Sequence, residues 1–267
     1  HRPQIAYWTA MERFEAQQAD AMVFRSVAHM ERLVSAMRGR PEPAAPILAT
    51  CGDERDREAS LARDDSGDRP LEILFVGRLY PAKGLVELAE ALGRVHAKGS
   101  RAFRATIVGA QCASALEPGR AYRVVPEWLT DALTKHGVSG HVDAIGPIND
   151  PQTLAERFRK TDLLVLPSYS EGFPRVVDEA MSFGVPVLTT TVGGIPDVLQ
   201  DGRDAALVPP RDSEALAKAL QRFLDSPGYR AQLRRGAVES YRRRIGETAA
   251  QQHLRLLRAA WTRNASR

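Results

Sequence analysis

Cysteine, lysine and long apolar runs are scarce in this 267-residue chain. Its two cysteines, Cys51 and Cys112, match no metal-binding spacing, so we interpret them as inert thiols in a reducing compartment. No apolar run approaches the ~18 residues that a helix needs to span a bilayer, so the sequence predicts no membrane-spanning helix. Residues 1–4 carry neither a starting methionine nor a secretory signal. We therefore expect a cytoplasmic protein whose chain continues upstream of His1.

Nearly all of the positive charge is arginine, because only five of the 37 basic residues are lysines. Ten arginines stand between Arg230 and Arg267, opposed there only by Glu239 and Glu247. A cationic helical tail of this kind can bind nucleic acid or an anionic membrane surface. No aromatic platform or recognition motif accompanies it, so a solvated helix face is the favoured interpretation and no nucleic-acid partner is predicted. Peripheral contact with the inner face of the cytoplasmic membrane stays open.

Apolar runs and helical patterns alternate regularly from Leu71 onward, and a hydrophobic content of 43% supports a packed core. Such alternation predicts an α/β protein with a doubly wound parallel sheet. The predicted strands are Leu71–Val76, Phe103–Val108, Val142–Ile145, Leu163–Leu166, Val185–Leu188 and Ala206–Val208. The predicted helices start near Gly84, Tyr122, Pro151, Pro174 and Ile195, followed by Asp212–Leu224.

The segments on either side of this alternation have a weaker pattern. Before it, we predict helices at Tyr7–Gln18 and Val27–Met37. Residues from Cys51 to Pro70 are charged and lack periodicity, so we interpret them as a linker. After Pro227 two helical stretches follow, and the second, Glu247–Arg263, has an apolar stripe along one side.

Two carboxylates flank a Gly-Phe-Pro turn in the stretch EGFPRVVDE, which runs from Glu171 to Glu179. The stretch follows an apolar strand, so its loop lies at the carboxyl end of the sheet, where open α/β sheets bind ligands. Backbone N–H groups at the start of the next helix suit phosphate or hydroxyl oxygens. Glu179 lies about 12 Å farther along the helix axis, so the two acids could reach opposite ends of a long ligand. An exposed glutamate plus a glutamate favoured by the helix dipole explains the spacing equally well.

Two further loops follow strands in the same way. Arg78 and Lys83 stand five residues apart after the strand Leu71–Val76, where a guanidinium fork and a compact ammonium can converge on a diphosphate. Solvated cations at a helix start are the alternative. The stretch from Val192 to Asp197 contains a glycine pair that lets backbone approach a ligand or a neighbouring segment closely. Ordinary turn chemistry is an equally good interpretation of that pair.

Between about Leu71 and Leu224 the chain resembles the retaining GT-B glycosyltransferases of family 4, also called group 1 transferases. The matching strings, in family order and at family spacing, are FVGRLYPAKG, AIGPIND, TDLLVLPSYSEGFPRVVDEAMSFGVPVLTTTVGGIPDVL and DGRDAALVPP. The resemblance implies a GT-B fold with one complete Rossmann-like domain at residues 70–245, which binds the nucleotide sugar. Residues 1–69 would be the remnant of an acceptor-side α/β domain and a linker, and residues 246–267 a helix that crosses back toward it.

The same resemblance assigns roles to individual residues. Arg78 and Lys83 match the pair that binds the diphosphate, and with Glu171 at the sugar end they are the catalytic candidates. Glu179 matches the acid that accepts hydrogen bonds from the ribose hydroxyls. The full set implied for the nucleotide-sugar site is Gly77, Arg78, Lys83, Gly146, Ile148, Glu171, Gly172, Phe173, Arg175 and Glu179.

Three of these assignments are more specific. The N–H groups of Gly172 and Phe173 would meet sugar hydroxyls, and the Gly146–Ile148 turn would meet the base edge. Arg175 replaces the asparagine or apolar residue usual in the family, and two readings stay open: a phosphate contact or an exposed side chain. Asp178 stands where the family has an aliphatic residue, and the sequence offers no reason for it.

The implied reaction is transfer of a sugar, with retention, from a nucleotide-diphosphate sugar to a saccharide or lipid acceptor, without metal or other cofactor. Because roughly 100 residues of the family pattern are missing ahead of His1, we expect this chain to bind nucleotide without turnover. A nucleotide-binding module is thus one alternative, and a GT-B epimerase or phosphorylase another, although the five lysines include no good candidate for a pyridoxal Schiff base. We expect the remnant of the acceptor-side domain, residues 1–69, to expose apolar helix faces, which favours self-association. Formation of a homodimer therefore stays open.

Overall fold

The computed structural model describes residues 52–63, 69–110, 125–148 and 150–244. The strands in these ranges are β1 Leu71–Val76, β2 Phe103–Val108, β3 Val142–Ile145, β4 Leu163–Leu166, β5 Val187–Thr190 and β6 Ala206–Val208. The helices are α1 Glu54–Leu61, α2 Leu85–Ala97, α3 Glu127–Lys135, α4 Pro151–Lys160, α5 Arg175–Ser182, α6 Ile195–Val198, α7 Ser213–Asp225 and α8 Pro227–Arg244, with a 3₁₀ turn at Pro81–Lys83.

All six strands are parallel and form one sheet in the order β3-β2-β1-β4-β5-β6, which confirms the predicted α/β class. Leu71 of β1 is in register with Phe103 on one side, and Ile73 is in register with Leu163 of β4 on the other. The winding direction therefore reverses between β1 and β4. Such a switch point opens a crevice between the loops that leave the carboxyl ends of those two strands.

The central strands are buried on both faces, as parallel sheets require. Every residue of β4 and β5 is buried, and β1 exposes only parts of Glu72 and Val76. Right-handed crossovers in opposite directions place α2 and α5 on opposite faces of the sheet. Helix α7 packs on α2, whereas α8 packs on α5 and α1. One hydrophobic core thus holds the sheet between two helical layers.

Two predicted boundaries are wrong by a few residues. Strand β5 begins at Val187 rather than Val185, because the Val185 N–H donates to Ala180 O at the end of α5 and Pro186 has no N–H to give. Helix α3 begins after Pro126, its N-cap, rather than near Tyr122, which lies outside the described residues.

The interpretation of residues 51–70 as a linker is also wrong, because Glu54–Leu61 form a helix. Asp53 caps it: Asp56 N donates to Asp53 Oδ1 at 3.0 Å, and Asp53 N donates to Asp56 Oδ2 at 3.1 Å. The helix docks through polar contacts, including Ser60 Oγ to Gly184 O at 2.7 Å. A helix without an apolar stripe leaves no periodic signal in the sequence.

The arginine-rich stretch is solvated only in part within the residues that the structure describes, which end at Arg244: Arg235, Arg242 and Arg243 are exposed. Arg230 and Arg234 are buried. Arg230 Nη1 donates to Phe223 O at 2.8 Å and to Leu224 O at 2.7 Å, and so satisfies carbonyls at the end of α7. The buried aliphatic stem of Arg230 and its hydrogen bonds to backbone explain how the fold accommodates this arginine.

Several predicted features lie outside the described residues. They are the helices at 7–18, 27–37 and 247–263, both cysteines and the acceptor-side remnant upstream of residue 52. Within the described ranges, no helix is both long enough and apolar enough to cross a membrane.

Candidate functional site

The loop after β1 brings the two predicted phosphate-binding cations together on one tyrosine. The guanidinium carbon of Arg78 lies 5.4 Å from the centroid of the Tyr80 ring, and Lys83 Nζ lies 5.7 Å from the same centroid. Cations at this distance from an aromatic face are attracted to the ring. Arg78 is exposed at the surface, whereas Lys83 is largely covered. The sequence prediction that these side chains share one place is consistent with this geometry.

The loop after β4 meets the loop after β1 through an ion pair. Glu171 Oε1 accepts a hydrogen bond from Lys83 Nζ, and the two side chains are only 11% and 12% exposed. The contact spans the switch point of the sheet. Sequence reasoning placed Lys83 at the phosphate and Glu171 at the sugar, and did not foresee that they bind each other.

The glycine pair after β5 supports the loop that carries Glu171. A Cβ on Gly193, whose φ is +58°, would overlap with the carbonyl oxygen of Glu171. Gly194 N donates to Gly172 O at 2.7 Å. The glycine pair therefore allows close approach to a neighbouring segment, which is one of the interpretations that the sequence left open. That segment is the loop after β4, which carries Glu171 and Gly172.

Helix α5 presents the second carboxylate of the motif. It starts after Pro174 and buries Val177, Ala180 and Met181 against the sheet. Glu179 is 14% exposed, and its Oε1 lies 3.6 Å from Arg175 Nη2, one helical turn earlier. Arg175 is 64% exposed, so the structure places it at the surface beside Glu179. Both glutamates of the motif thus have a cation beside them.

Asp178, which the family pattern left unexplained, has a structural role. Its side chain is 3% exposed, and Asp178 Oδ1 accepts from Arg244 Nη2 at 2.9 Å. Arg244 also donates to Ser240 Oγ at 2.6 Å. A buried carboxylate requires such a partner because an uncompensated charge is expensive to desolvate. The run of basic residues at the end of α8 was the signal in the sequence for a cationic partner of a buried acid. Nothing in the sequence pairs that run with Asp178.

The remaining predicted site residues lie at the same edge of the sheet. Gly146 and Ile148 follow β3, two strands from β1, and Ile148 packs partly against the core. Gly77 extends the hydrogen bonding between β1 and β2, because its N–H donates to Val108 O at 3.0 Å. In the loop after β4, Phe173 is buried and Gly172 is exposed. The edge location of all of them agrees with the prediction, but their ligand contacts stay predictions.

Three residues at this edge were missed by sequence reasoning: Glu87, Tyr169 and Arg211. Tyr169 OH donates to Glu87 Oε1, and the guanidinium carbon of Arg211 lies 4.7 Å from the centroid of the tyrosine ring. Burial and the hydrogen bond to the Glu87 carboxylate raise the pKa of Tyr169 to about 12. The phenol therefore stays protonated and acts as a donor. Its position inside the string PSYSEGFP was the only signal in the sequence.

A cavity of about 460 Å³ lies elsewhere, near the amino ends of β1 and β2. Its wall contains Arg63 and Arg69, and both donate to buried Asp162, at 3.0 and 2.7 Å, so an internal acid holds these two cations in place. Volume alone therefore does not identify the candidate site. Within the described ranges, no group of three or more His, Cys, Asp or Glu side chains could hold a metal ion.

Comparison with known proteins places this geometry in context. The family model "Glycosyl transferases group 1" matches residues 56–240. A D-inositol 3-phosphate glycosyltransferase from Acidothermus cellulolyticus is 36% identical over 169 residues, covering 62% of this chain and 36% of the relative. The chain spans about a third to a half of the length of the curated relatives it matches.

Solved structures share the fold. Sucrose-phosphate synthase from Thermosynechococcus elongatus aligns with a TM-score of 0.76 and 22% identity, over 100% of this chain and 63% of that one. Anabaena HepE in complex with UDP-glucose aligns with a TM-score of 0.69 and 21% identity, over 91% of this chain and 64% of that one. With the family match over most of its length, the chain belongs to the group 1 glycosyl transferases.

Proposed function

We propose that this chain carries the donor-binding part of a retaining glycosyltransferase. The complete protein would move a hexosyl group from a nucleotide-diphosphate sugar to a saccharide or lipid acceptor. The observation that carries the proposal is the meeting of Lys83 and Glu171 across the switch point of the sheet. Family membership supports it, as do relatives named D-inositol 3-phosphate glycosyltransferase and a structural neighbour solved with UDP-glucose.

Arg78 and Lys83 bind the diphosphate in this proposal. As the glycosidic bond breaks, negative charge grows on the leaving diphosphate, and two cations held against Tyr80 face it. Positive charge that is already in place stabilises such a transition state without further reorganisation. Removing one contact of this kind costs roughly 2–4 kcal/mol, or about 10²–10³ in rate.

The two glutamates bind the uncharged parts of the donor. Glu179 accepts hydrogen bonds from the ribose hydroxyls, and Glu171 accepts from hydroxyls of the sugar, beside the N–H groups of Gly172 and Phe173. A carboxylate can accept several donors at once. Lys83 and Arg175 lie against these acids in the structure. The donor would replace these ion pairs, its phosphates taking Lys83 and Arg175 and its hydroxyls taking the carboxylates.

Phosphate binding in this proposal relies on Arg78 and Lys83, with Arg175 as a further contact, and needs no metal ion. Transfer itself needs an acceptor held across the cleft from the donor, since orientation supplies much of the rate enhancement. We therefore expect the present chain to bind donor without transferring its sugar. An excess of EDTA that abolished nucleotide binding would contradict the metal-free proposal, and turnover by this chain alone would contradict the expected division of roles.

Calorimetric titration with UDP, GDP and ADP tests the proposal. At least one should bind with a dissociation constant of about 1 µM to 1 mM. Glu179→Ala should weaken that binding about tenfold, because hydrogen bonds to a charged acceptor are lost. Glu171→Ala should weaken binding of the matching nucleotide sugar and leave the nucleoside diphosphate nearly unaffected.

Glu214→Ala is the matched control, since Glu214 forms an exposed ion pair with Lys218 on α7. It should change neither affinity. Folded protein that binds none of the three nucleotides would refute the proposed function. Equal losses of both ligands in both glutamate variants would refute the assignment of roles.

The proposal includes a cytoplasmic location, with contact at the inner membrane face where the acceptor is a lipid. It also includes association into a homodimer. Cell fractionation and sedimentation velocity measure these two properties directly.

A further inference from the structure

Tyr169 lies where the loops after β1 and β4 touch, and it is not among the residues assigned to the donor. Tyr169 N donates to Ala82 O at 2.8 Å, next to Lys83 in the chain. A Cβ on Gly84 would overlap with the carbonyl oxygen of Pro167, so the two loops are in direct backbone contact. Glu171 follows Tyr169 by two residues. Any shift of Tyr169 relative to Ala82 therefore changes the separation of Lys83 and Glu171.

The hydroxyl of Tyr169 makes a second tie between these loops. It donates to Glu87 Oε1 at 2.5 Å, and Glu87 stands in the first turn of α2, immediately after the loop that carries Lys83. The raised pKa of the phenol keeps the donor proton in place. A hydrogen bond from a hydroxyl to a carboxylate oxygen is stronger than one between two amide groups.

The loop after β6 contributes a cation over the Tyr169 ring. The guanidinium carbon of Arg211 lies 4.7 Å above it. Arg211 has φ +63°, the one left-handed backbone among the non-glycine residues in the described ranges. A non-glycine residue stays in that conformation only when its surroundings hold it there. Loops from β1, β4 and β6 thus converge on a single side chain.

We propose that Tyr169 is a positioning residue, whose hydroxyl contact with Glu87 holds the Lys83 and Glu171 loops at the separation that a nucleotide sugar requires. The inference rests on the proposed function. A nucleoside diphosphate depends on Arg78, Lys83 and Glu179, whereas the intact nucleotide sugar also depends on Glu171 across the crevice. Loss of the tie should therefore affect the sugar-bearing ligand selectively.

Tyr169→Phe removes the hydroxyl and keeps the ring and the backbone hydrogen bond. Its affinity for the nucleotide sugar should fall about five- to tenfold, while that for the nucleoside diphosphate changes less than about twofold. Glu87→Leu should reproduce this pattern. Glu87→Gln keeps an acceptor for the phenol and should recover most of the affinity.

Tyr229→Phe is the matched control. Tyr229 is a buried tyrosine with Arg222 over its ring at 3.9 Å, in α8 and away from the crevice. The same chemical change there should leave both affinities unaltered. An equal loss of both ligands in Tyr169→Phe, or a loss in Tyr229→Phe as large as in Tyr169→Phe, would overturn the proposal.

Hydrogen–deuterium exchange of the ligand-free protein separates this inference from the proposed function. Tyr169→Phe should speed exchange at residues 80–84 and 168–173 and leave the sheet unchanged. If the wild type bound no nucleotide, the proposed function would fail, but the exchange pattern would still support the tie between the loops. Unchanged exchange in both segments, or faster exchange throughout the protein, would overturn it.

Discussion

Basic side chains serve different purposes at the two edges of the sheet. At the amino edge, Arg63 and Arg69 donate to Asp162, whose side chain is fully buried just before β4. At the carboxyl edge, Arg78 and Lys83 lie over Tyr80, and Lys83 pairs with a glutamate that borders the crevice. The amino-edge cations are fixed by a buried acid, whereas the carboxyl-edge cations are held where a ligand can exchange their partners.

The difference teaches how to separate structural from functional charge in an arginine-rich chain. Breaking a buried ion pair costs about 3–5 kcal/mol because the remaining charge is left without compensation, whereas an exposed pair contributes at most about 1 kcal/mol. The Lys83–Glu171 pair is itself largely covered, so a ligand can break it only by supplying new partners to both groups. The following predictions test that contrast.

Asp162→Ala should have the largest effect, lowering the free energy of unfolding by about 3–5 kcal/mol. The change removes the carboxylate that Arg63 and Arg69 share, and it removes the hydrogen bond from Glu72 N to Asp162 Oδ2 at 2.8 Å. Urea unfolding at neutral pH measures the loss. Glu214→Ala, at an exposed ion pair, should cost below about 0.5 kcal/mol, and a similar cost in both variants would contradict the contrast.

Gly84→Ala should lower the free energy of unfolding by about 2–4 kcal/mol and abolish nucleotide binding. The left-handed backbone, with φ +69°, strains an alanine, and the new Cβ meets the carbonyl oxygen of Pro167. Gly99 has the same φ and no atom within 4 Å of its Cβ position. Gly99→Ala therefore measures the cost of the left-handed backbone alone, about 1 kcal/mol of unfolding free energy. If both variants lost the same unfolding free energy, the close contact between the loops would not contribute to stability.

Acid should weaken the ion pairs at the amino edge. Burial alone raises the pKa of Asp162, but hydrogen bonds from Arg69 and Glu72 N together with the arginine charges outweigh it and bring the pKa below its usual 3.8. The stabilisation is thus complete above pH 3.8 and is lost as pH falls through the lower folded-state pKa. Urea unfolding between neutral pH and about pH 3 should show a steeper decline for wild type than for Asp162→Asn. Parallel curves would contradict the assignment.

The smallest expected effect is that of replacing both Asp178 and Arg244 with apolar residues. Asp178→Leu alone should destabilise the protein, because Arg244 loses its partner, but Asp178→Leu with Arg244→Met should stay within about 1 kcal/mol of wild type. A double-mutant cycle of unfolding free energies gives the coupling. A double variant that costs as much as both single changes together would show that the ion pair itself stabilises the fold.

Most of the sheet was predictable because buried parallel strands are continuous apolar runs of β-branched and aliphatic residues. Prediction failed where polar groups decide the outcome. Pro186 delays β5, and helix α1 depends on the Asp53 cap and on contacts such as Ser60 with Gly184. Neither leaves a periodic pattern that a sequence window detects.

The candidate site was predictable to the level of its loops, not its contacts. Glycine-containing turns after apolar strands located Arg78, Lys83, Glu171 and Glu179 at one edge. The ion pair between Lys83 and Glu171 joins residues 88 positions apart, and the hydrogen bond between Asp178 and Arg244 joins residues 66 positions apart. Such pairings depend on how helices and loops pack, which a single sequence does not record.

The glycine contacts on both sides of the β4 loop also set a rule for engineering. Gly84 presses on Pro167 from the β1 side, and Gly193 presses on Glu171 from the β5 side. The β4 loop therefore fits between its neighbours without space for an added methyl group. An exchange of this loop for that of a relative therefore requires that all three loops be transplanted as one block.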